Sequence, residues 1–172
     1  MERLDSEFAK FVEELRHDAV ARTVQGCSPA EIDHLQQVCG VQLPRVYRLY
    51  LLTMGHAADR LFTHDHLAVS YEYVLRLGDQ LRKAMIEPAA PGAPAFDLPP
   101  NSLVIFGRLS EQFLFIVCNR PDDSPVFHVD SWDRVSKQAY PSILDWLRDM
   151  RNEAVEAIRD GYYSEHPNGT IP

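Results

Sequence analysis

The stretch QFLFIVC at 112–118 restricts the possible folds most strongly, because every position from Phe113 to Cys118 is apolar. A strand of this kind must be covered by protein on both faces, so it lies inside a sheet rather than at its edge. Two similar runs flank it, LVIF at 103–106 and VFHV at 126–129, across the turn sequences GRLSE and NRPDDSP. Turns of hairpin length join antiparallel neighbours, so the three runs predict an antiparallel meander. The following WDRVSKQ predicts a weaker edge strand.

Amphipathic helices are predicted on both sides of this meander. Apolar residues recur every three or four positions in four segments: Leu4 to Ala19, Ile32 to Cys39, Val69 to Met85 and Ile143 to Ile158. Ser28 and Glu31 form a capping box at the start of the second segment, and Gly40 ends it; the last segment runs from Ser142 to Gly161. The predicted fold class is α+β, with an antiparallel sheet of about four to six strands flanked by helices.

Pro44 and Gly55 bracket a further apolar segment, VYRLYLLTM, and structural roles are predicted for both. Proline suits a helix start, because its missing N–H is not needed in the first turn and its φ is already helical. A glycine just past the segment predicts the left-handed turn that ends many helices. Arg45 and Arg48 form only a narrow polar edge on this helix, so we expect protein to cover most of it and predict a central helix. The alternative is that Pro44 and Gly55 line a ligand site.

Residues 87–102 contain five prolines and no helical or strand period. This predicts a stiff surface connection between the helices and the meander. A chain of 172 residues fits one domain. We therefore predict a single domain over 1–161, followed by a frayed tail over 162–172, where no period is visible.

Charge and cysteine content restrict the partners and the location. The net charge of −8, with 25 acidic and 17 basic residues, repels nucleic acid and anionic lipid and favours a basic partner. An acidic surface that serves only solubility is the alternative. The apolar stretches are too short to cross a bilayer. Cys27, Cys39 and Cys118 form no CxxC pair, and the N-terminus has no apolar signal segment, so the cytoplasm is the expected location.

Two local patterns resemble the SUKH superfamily, which contains fungal cell-wall synthesis regulators of the Smi and Knr type and many bacterial immunity proteins. The first resembles the family pattern glxLPxdyxxfLxxxgG and comprises Gly40, Val41, Leu43, Pro44, Tyr47, Leu51 and Gly55. The second resembles the later strands of the family, and comprises Gln112, Phe113, Phe115, Pro125, Val126, Phe127 and Asp130, before a helix with Trp146 and Leu147. The chain departs from the family at His56, which replaces a second glycine, and in a long insert over 57–100.

This resemblance implies a SUKH-like fold and a protein that binds another protein without catalysing a reaction. For the bacterial members it implies immunity, in which direct binding neutralises a toxin that is often a nuclease. The fungal members imply a regulatory or scaffold interaction protein as the alternative. The role of the insert over 57–100 stays open, as do the oligomeric state and the identity of the partner.

Residues suited to catalysis or metal binding are sparse. His64 and His66, with Asp65 between them, could begin a metal site on one side of a strand, but no third ligand cluster accompanies them, and a solvated loop is the competing interpretation. Asp122 and Asp123 lie in RPDDSP, a sequence typical of turns. GxSxG, HExxH and a phosphate-binding glycine loop are absent. We predict no catalytic residue, metal or cofactor, and a metal-dependent hydrolase is the least favoured function.

The predicted binding surface consists of acids and one aromatic residue at the strand ends and turns of the meander: Asp122, Asp123, Asp130, Trp132 and Asp133. Aromatic residues anchor protein interfaces, and acids attract basic partners. The predicted partner is therefore a basic protein, and the resemblance to the SUKH superfamily implies that this partner is a toxin. The alternative is a solvated rim with Trp132 packed inward.

Overall fold

The computed structural model describes residues 2–63, 67–87 and 89–165. Its helices and strands follow one another along the chain as α1 (Glu2–His17), α2 (Pro29–Cys39), α3 (Arg45–Met54), β1 (Leu67–Ala68), α4 (Tyr71–Ala84), β2 (Ser102–Arg108), β3 (Gln112–Val117), β4 (Val126–Asp130), β5 (Lys137–Tyr140), α5 (Ile143–Arg159) and α6 (Tyr162–Glu165). The fold is α+β, as predicted.

The sheet has five strands in the order β1-β2-β3-β4-β5, and all neighbours are antiparallel. The predicted meander of three strands is confirmed as β2, β3 and β4, and the weak edge strand is β5, which begins at Lys137. The sequence did not predict β1, because its two residues are too few to show a period. It pairs Leu67 with Arg108 on the outer side of β2.

The central strand β3 is covered on both faces, as its apolar sequence predicts. Phe115 stacks on Phe127 of β4, with ring centroids 5.4 Å apart, and Phe96 of the proline-rich connection lies 6.2 Å from Phe115. Helix α4 packs against β2. Toward the opposite face, Trp146 of α5 lies 6.5 Å from Phe106, whose strand partner is Leu114. The sheet is therefore enclosed between α4 with the proline-rich connection and α5.

Capping residues fix the ends of α2 as the sequence predicts. The Ser28 side chain accepts a hydrogen bond from the Glu31 N–H, and Glu31 Oε2 accepts one from the Ser28 N–H at 2.7 Å. Gly40 ends the helix in the left-handed region, with φ of 65°. These bonds satisfy N–H groups that a helix start otherwise leaves without partners.

Pro44 marks the start of helix α3 as predicted, although the proline precedes the first turn rather than occupying it, and its purely structural role stays a prediction. It is the residue just before the helix, with φ of −55°. The first two N–H groups of α3, those of Arg45 and Val46, donate to the carbonyl oxygens of Pro121 and Asp122 at 2.8 and 3.0 Å. Helix α3 packs against α1, α2 and α5, so the prediction of a central helix is confirmed.

The left-handed turn predicted at Gly55 is wrong, because the residue has a right-handed conformation with φ of −66°. Close packing requires the glycine instead. A Cβ added there would lie 2.5 Å from Cys27 Sγ and 2.7 Å from the Leu51 carbonyl oxygen. Any larger residue would therefore push α3 and Cys27 apart.

The segment predicted to be frayed begins with an ordered turn, so that prediction is wrong for its first residues. Tyr163 of α6 donates its hydroxyl to the Arg60 carbonyl oxygen at 3.2 Å, and the Arg60 guanidinium lies 4.6 Å from the Tyr163 ring centre. Residues 166–172 lie outside the described residues. The domain boundary at 161 stays a prediction.

Among the helices of the described residues, none has the length and apolarity needed to span a membrane.

Candidate protein-binding surface

The five predicted surface residues lie at opposite ends of β4 and do not form one patch. Asp122 and Asp123 precede the strand, whereas Asp130 ends it and Trp132 and Asp133 follow it. At about 3.4 Å per residue, the ends of this five-residue strand are roughly 14 Å apart. The two groups must therefore be considered separately.

Asp123 holds the protein together rather than facing a partner. It is half-buried, and its Oδ1 accepts hydrogen bonds from the N–H groups of Ser124 at 2.8 Å and Ile143 at 2.9 Å. Burial raises the pKa of the Asp123 carboxyl, although bonds from backbone N–H groups oppose the rise. Asp122 is exposed, and its carbonyl oxygen binds the start of α3.

Trp132, at the other end, has 62% of its surface exposed, so the alternative of an inward-packed tryptophan is wrong. Its backbone is held firmly. Asp130 Oδ1 accepts hydrogen bonds from the N–H groups of Trp132 at 2.9 Å and Asp133 at 2.7 Å. The Trp132 carbonyl oxygen accepts one from Ala90 at 3.0 Å. The ring is thus displayed from a fixed backbone.

Asp133 stabilises the same turn. Its Oδ1 accepts a hydrogen bond from the Val135 N–H at 2.9 Å, and its Oδ2 lies 3.5 Å from the Lys137 ammonium. The bond from Val135 and, to a smaller extent, the charge of Lys137 lower the pKa of the Asp133 carboxyl. This carboxylate therefore faces solvent but is partly neutralised by its own neighbours.

The turn between β2 and β3 lies beside Trp132 and was not predicted to take part. Leu109 and Ser110 both have positive φ, 53° and 57°, and the Glu111 N–H bonds the Arg108 carbonyl oxygen at 3.0 Å. This geometry is that of a type I′ turn, which normally holds Asn-Gly because other residues are strained there. Leu109 is nevertheless 56% exposed, so packing of its side chain does not explain its presence.

The insert over 57–100 supports this end of the sheet. The Glu87 carbonyl oxygen, just after α4, accepts a hydrogen bond from Arg134 Nη2 at 2.5 Å. The Glu111 carbonyl oxygen accepts one from the Ser131 N–H at 2.8 Å. One side-chain and one backbone hydrogen bond therefore connect the end of α4 and both turns into one unit.

These segments enclose an open groove of about 720 Å³. It is lined by Ala84, Glu87, Leu109, Ser110, Glu111, Gln112, Asp130, Ser131 and Trp132, which we call the hairpin-end surface. Three of these side chains are carboxylates, and no basic side chain lines the groove among the residues that the structure describes. The surface can bind an apolar group against Trp132 and Leu109 while its carboxylates attract cationic side chains.

Sequence reasoning found Asp130 and Trp132 but missed Glu87, Leu109 and Glu111. One signal was available, since GRLSE has no asparagine or glycine at the centre of a short hairpin turn. No signal in the sequence brings Glu87 to this site. The predicted pair His64 and His66, with Asp65, lies outside the described residues.

No protein-family model matches this chain, and a search of curated proteins found no match either. The similarity to the SUKH superfamily therefore rests on the sequence patterns alone.

Proposed function

We propose that the protein is a binding module that engages a basic protein through the hairpin-end surface. Together with the SUKH-like patterns, this surface best supports one function, that of an immunity protein that neutralises a bacterial toxin such as a nuclease. The proposal involves direct binding and no chemical reaction.

The exposure of Trp132 is the observation that carries this proposal. Single exposed apolar residues are common, but Trp132 lines a groove together with an exposed Leu109. A tryptophan buries about 150–250 Å² when a partner covers it, and tryptophans are enriched among residues that dominate binding energy. A rigid backbone reduces the entropy lost on binding, and the Asp130 and Ala90 bonds supply that rigidity.

Charge supports a basic partner. Glu87, Glu111 and Asp130 line the groove, and the whole chain has a net charge of −8. A nuclease must bind phosphates, so its active site is basic and is attracted to such a surface. This attraction raises the association rate and weakens as salt is added.

The test is a binding measurement with the product of the adjacent gene. We expect Trp132→Ala to weaken binding by about 2 kcal/mol or more, roughly 30-fold, because a central anchor is lost. The double variant Glu87→Gln with Glu111→Gln should mainly lower the association rate and its dependence on salt. Asp122→Asn removes one charge at the far end of β4 and serves as the matched control, with unchanged affinity.

Two results would contradict the proposal. One is that Trp132→Ala binds with native affinity while it remains folded. The other is that the adjacent gene product does not bind, or that its toxicity in cells is not suppressed by the native chain. Suppression by the native chain but not by Trp132→Ala would support the immunity function directly.

A further inference from the structure

A second cluster of side chains lies away from the hairpin-end surface, where the start of α2, the end of α3 and the start of α4 meet. His56 is at its centre. Its Nε2 lies 3.0 Å from Glu31 Oε1, and its Nδ1 lies 2.7 Å from Glu72 Oε1. The ligand atoms of Cys27, Glu31 and His56 all lie within 4.8 Å of one another.

Local structure fixes the thiol in this cluster. The Cys27 N–H donates to the Leu51 carbonyl oxygen at 2.8 Å, which holds Cys27 beside the last turn of α3. A Cβ built at Gly55 would lie only 2.5 Å from Cys27 Sγ, which is closer than two such atoms can approach. The absence of a side chain at Gly55 therefore allows the sulfur to approach His56.

The two carboxylates are fixed as well, and each keeps one oxygen toward the imidazole. Glu31 Oε2 accepts hydrogen bonds from the Ser28 N–H and hydroxyl at 2.7 and 2.8 Å, so Oε1 points to His56. Glu72 Oε2 accepts one from the Ser70 hydroxyl at 2.9 Å, and its Oε1 is the atom that meets Nδ1. The ring of Tyr71 also contacts the imidazole, with centroids 5.4 Å apart.

This geometry places a carboxylate oxygen at each nitrogen of His56. A neutral imidazole has one N–H, so it can donate to only one of them. If Nδ1 donates to Glu72, the lone pair of Nε2 faces Glu31 Oε1 and the neighbouring sulfur. Two electron-rich atoms and a thiol that face one space are suited to a shared cation.

We propose that Cys27, Glu31 and His56 bind a zinc ion, with Glu72 as the residue that orients His56. Zinc prefers sulfur, imidazole nitrogen and carboxylate oxygen at about 2.0–2.3 Å in a tetrahedron, with water completing three protein ligands. The ligand atoms of such a tetrahedron lie about 3.3–3.8 Å apart, so closure from the present separations requires small movements. A ligating histidine usually donates its other N–H to a carboxylate, which is the position of Glu72.

Solvent reaches the two carboxylates of this site much more readily than the thiol. Cys27 is buried, with 5% of its surface exposed, whereas the Glu31 and Glu72 side chains are 38% and 58% exposed. A bound ion would connect α2, the end of α3 and, through Glu72, α4. The site shares no residue with the hairpin-end surface, so its test is independent of the proposed function.

The experiment titrates the full-length chain with Co²⁺ alone and then with Zn²⁺. We expect one equivalent of Co²⁺ to produce a thiolate-to-cobalt charge-transfer band, and Zn²⁺ to abolish it by displacement. Cys27→Ser should lose the band, and Glu72→Gln should weaken metal binding about 10- to 100-fold, because the orienting carboxylate is lost. The matched control is the double variant Cys39→Ser with Cys118→Ser, which leaves Cys27 as the only cysteine and should keep the band.

The competing arrangement is a doubly protonated His56 that bridges the two carboxylates without a metal. It predicts no thiolate band in the native chain, and no rise in melting temperature on adding Zn²⁺ that the native protein shows and the Cys27→Ser and His56→Gln variants lack. Either result overturns the zinc site. If Cys27→Ser does not fold, Glu72→Gln decides, because an unchanged cobalt affinity in that variant contradicts the role given to Glu72 and His56.

Discussion

Strand β4 joins two aspartate-containing turns, and they use their carboxylates in different ways. Before the strand, Asp123 is half-buried and binds the N–H groups of Ser124 and Ile143. After the strand, Asp130 and Asp133 accept hydrogen bonds from the backbone of their own turn, Asp133 also lies near the Lys137 ammonium, and Trp132 is left exposed. The first turn attaches a helix to the sheet, whereas the second displays a side chain.

The difference follows from what each turn packs against. The turn before β4 lies against the starts of two helices, α3 and α5, whose first N–H groups need acceptors. The turn after β4 contacts the loop that follows α4 and the neighbouring hairpin turn, and none of its hydrogen bonds among the described residues joins it to the start of a helix. Segments from distant parts of the chain therefore decide the role of an aspartate in a turn. Where such a segment supplies N–H groups the aspartate is structural, and where none does the turn is available for binding.

The largest expected effect is on stability at the first turn. Asp123→Ala should lower the free energy of unfolding by about 2–6 kcal/mol, because two buried N–H groups lose their acceptor at about 1–3 kcal/mol each. Urea unfolding followed by circular dichroism measures the change. Partner binding of the folded variant should not change.

Asp122→Ala is the matched control for this prediction, because it removes an adjacent carboxylate that is exposed. Its effect should stay within about 0.5 kcal/mol, as for most surface substitutions. Equal losses in both variants would contradict the distinction between the two aspartates.

The sequence predicted regular elements well and their contacts poorly. Helices α1 to α5 and strands β2 to β4 all have clear periods or capping residues, which act locally. Asp122 and Asp123 were recognised as turn residues for the same reason. The N–H of Ile143 that binds Asp123 is 20 residues away, however, so its use could not be inferred from RPDDSP.

Gly55 illustrates the same limit. A glycine after an apolar helix suggests a left-handed cap, but at this position it makes room for Cys27, which lies 28 residues earlier. The candidate sites depend on such contacts even more. Glu87, Leu109 and Trp132 come from three separate segments, and so do Cys27, His56 and Glu72.

The second expected effect concerns strain in the turn that contacts the hairpin-end groove. Leu109→Asn should raise the free energy of unfolding by about 1 kcal/mol, because a left-handed conformation costs most residues about 1–2 kcal/mol and asparagine tolerates it. The same variant should bind the partner more weakly, since an exposed apolar contact is lost. Thermal or urea unfolding and a binding titration measure the two changes.

Leu109→Ala separates these contributions. It removes the exposed side chain but keeps a residue that is strained at φ of 53°, so it should weaken binding without stabilising the fold. Two outcomes would contradict this account: an alanine variant that is more stable than the native protein, or an asparagine variant that is no more stable. Either would mean that backbone strain at Leu109 does not lower the stability of the native turn.

The smallest expected effect is a difference in the sign of pH dependence between the two turns. Burial raises the folded-state pKa of Asp123, so its contribution to stability is complete below about pH 4, the range of unfolded aspartate, and is lost as pH rises through the raised value. The backbone bond from Val135 lowers the folded-state pKa of Asp133, so its contribution is present above about pH 4 and is lost as pH falls through the lowered value.

Asparagine at either position cannot ionise but can still accept the backbone hydrogen bond. As pH rises from about 3 to 7, Asp123→Asn should therefore gain stability relative to the native protein, and Asp133→Asn should lose it. Urea midpoints at several pH values measure both differences, and slopes of the same sign would mean that burial does not distinguish the two turns.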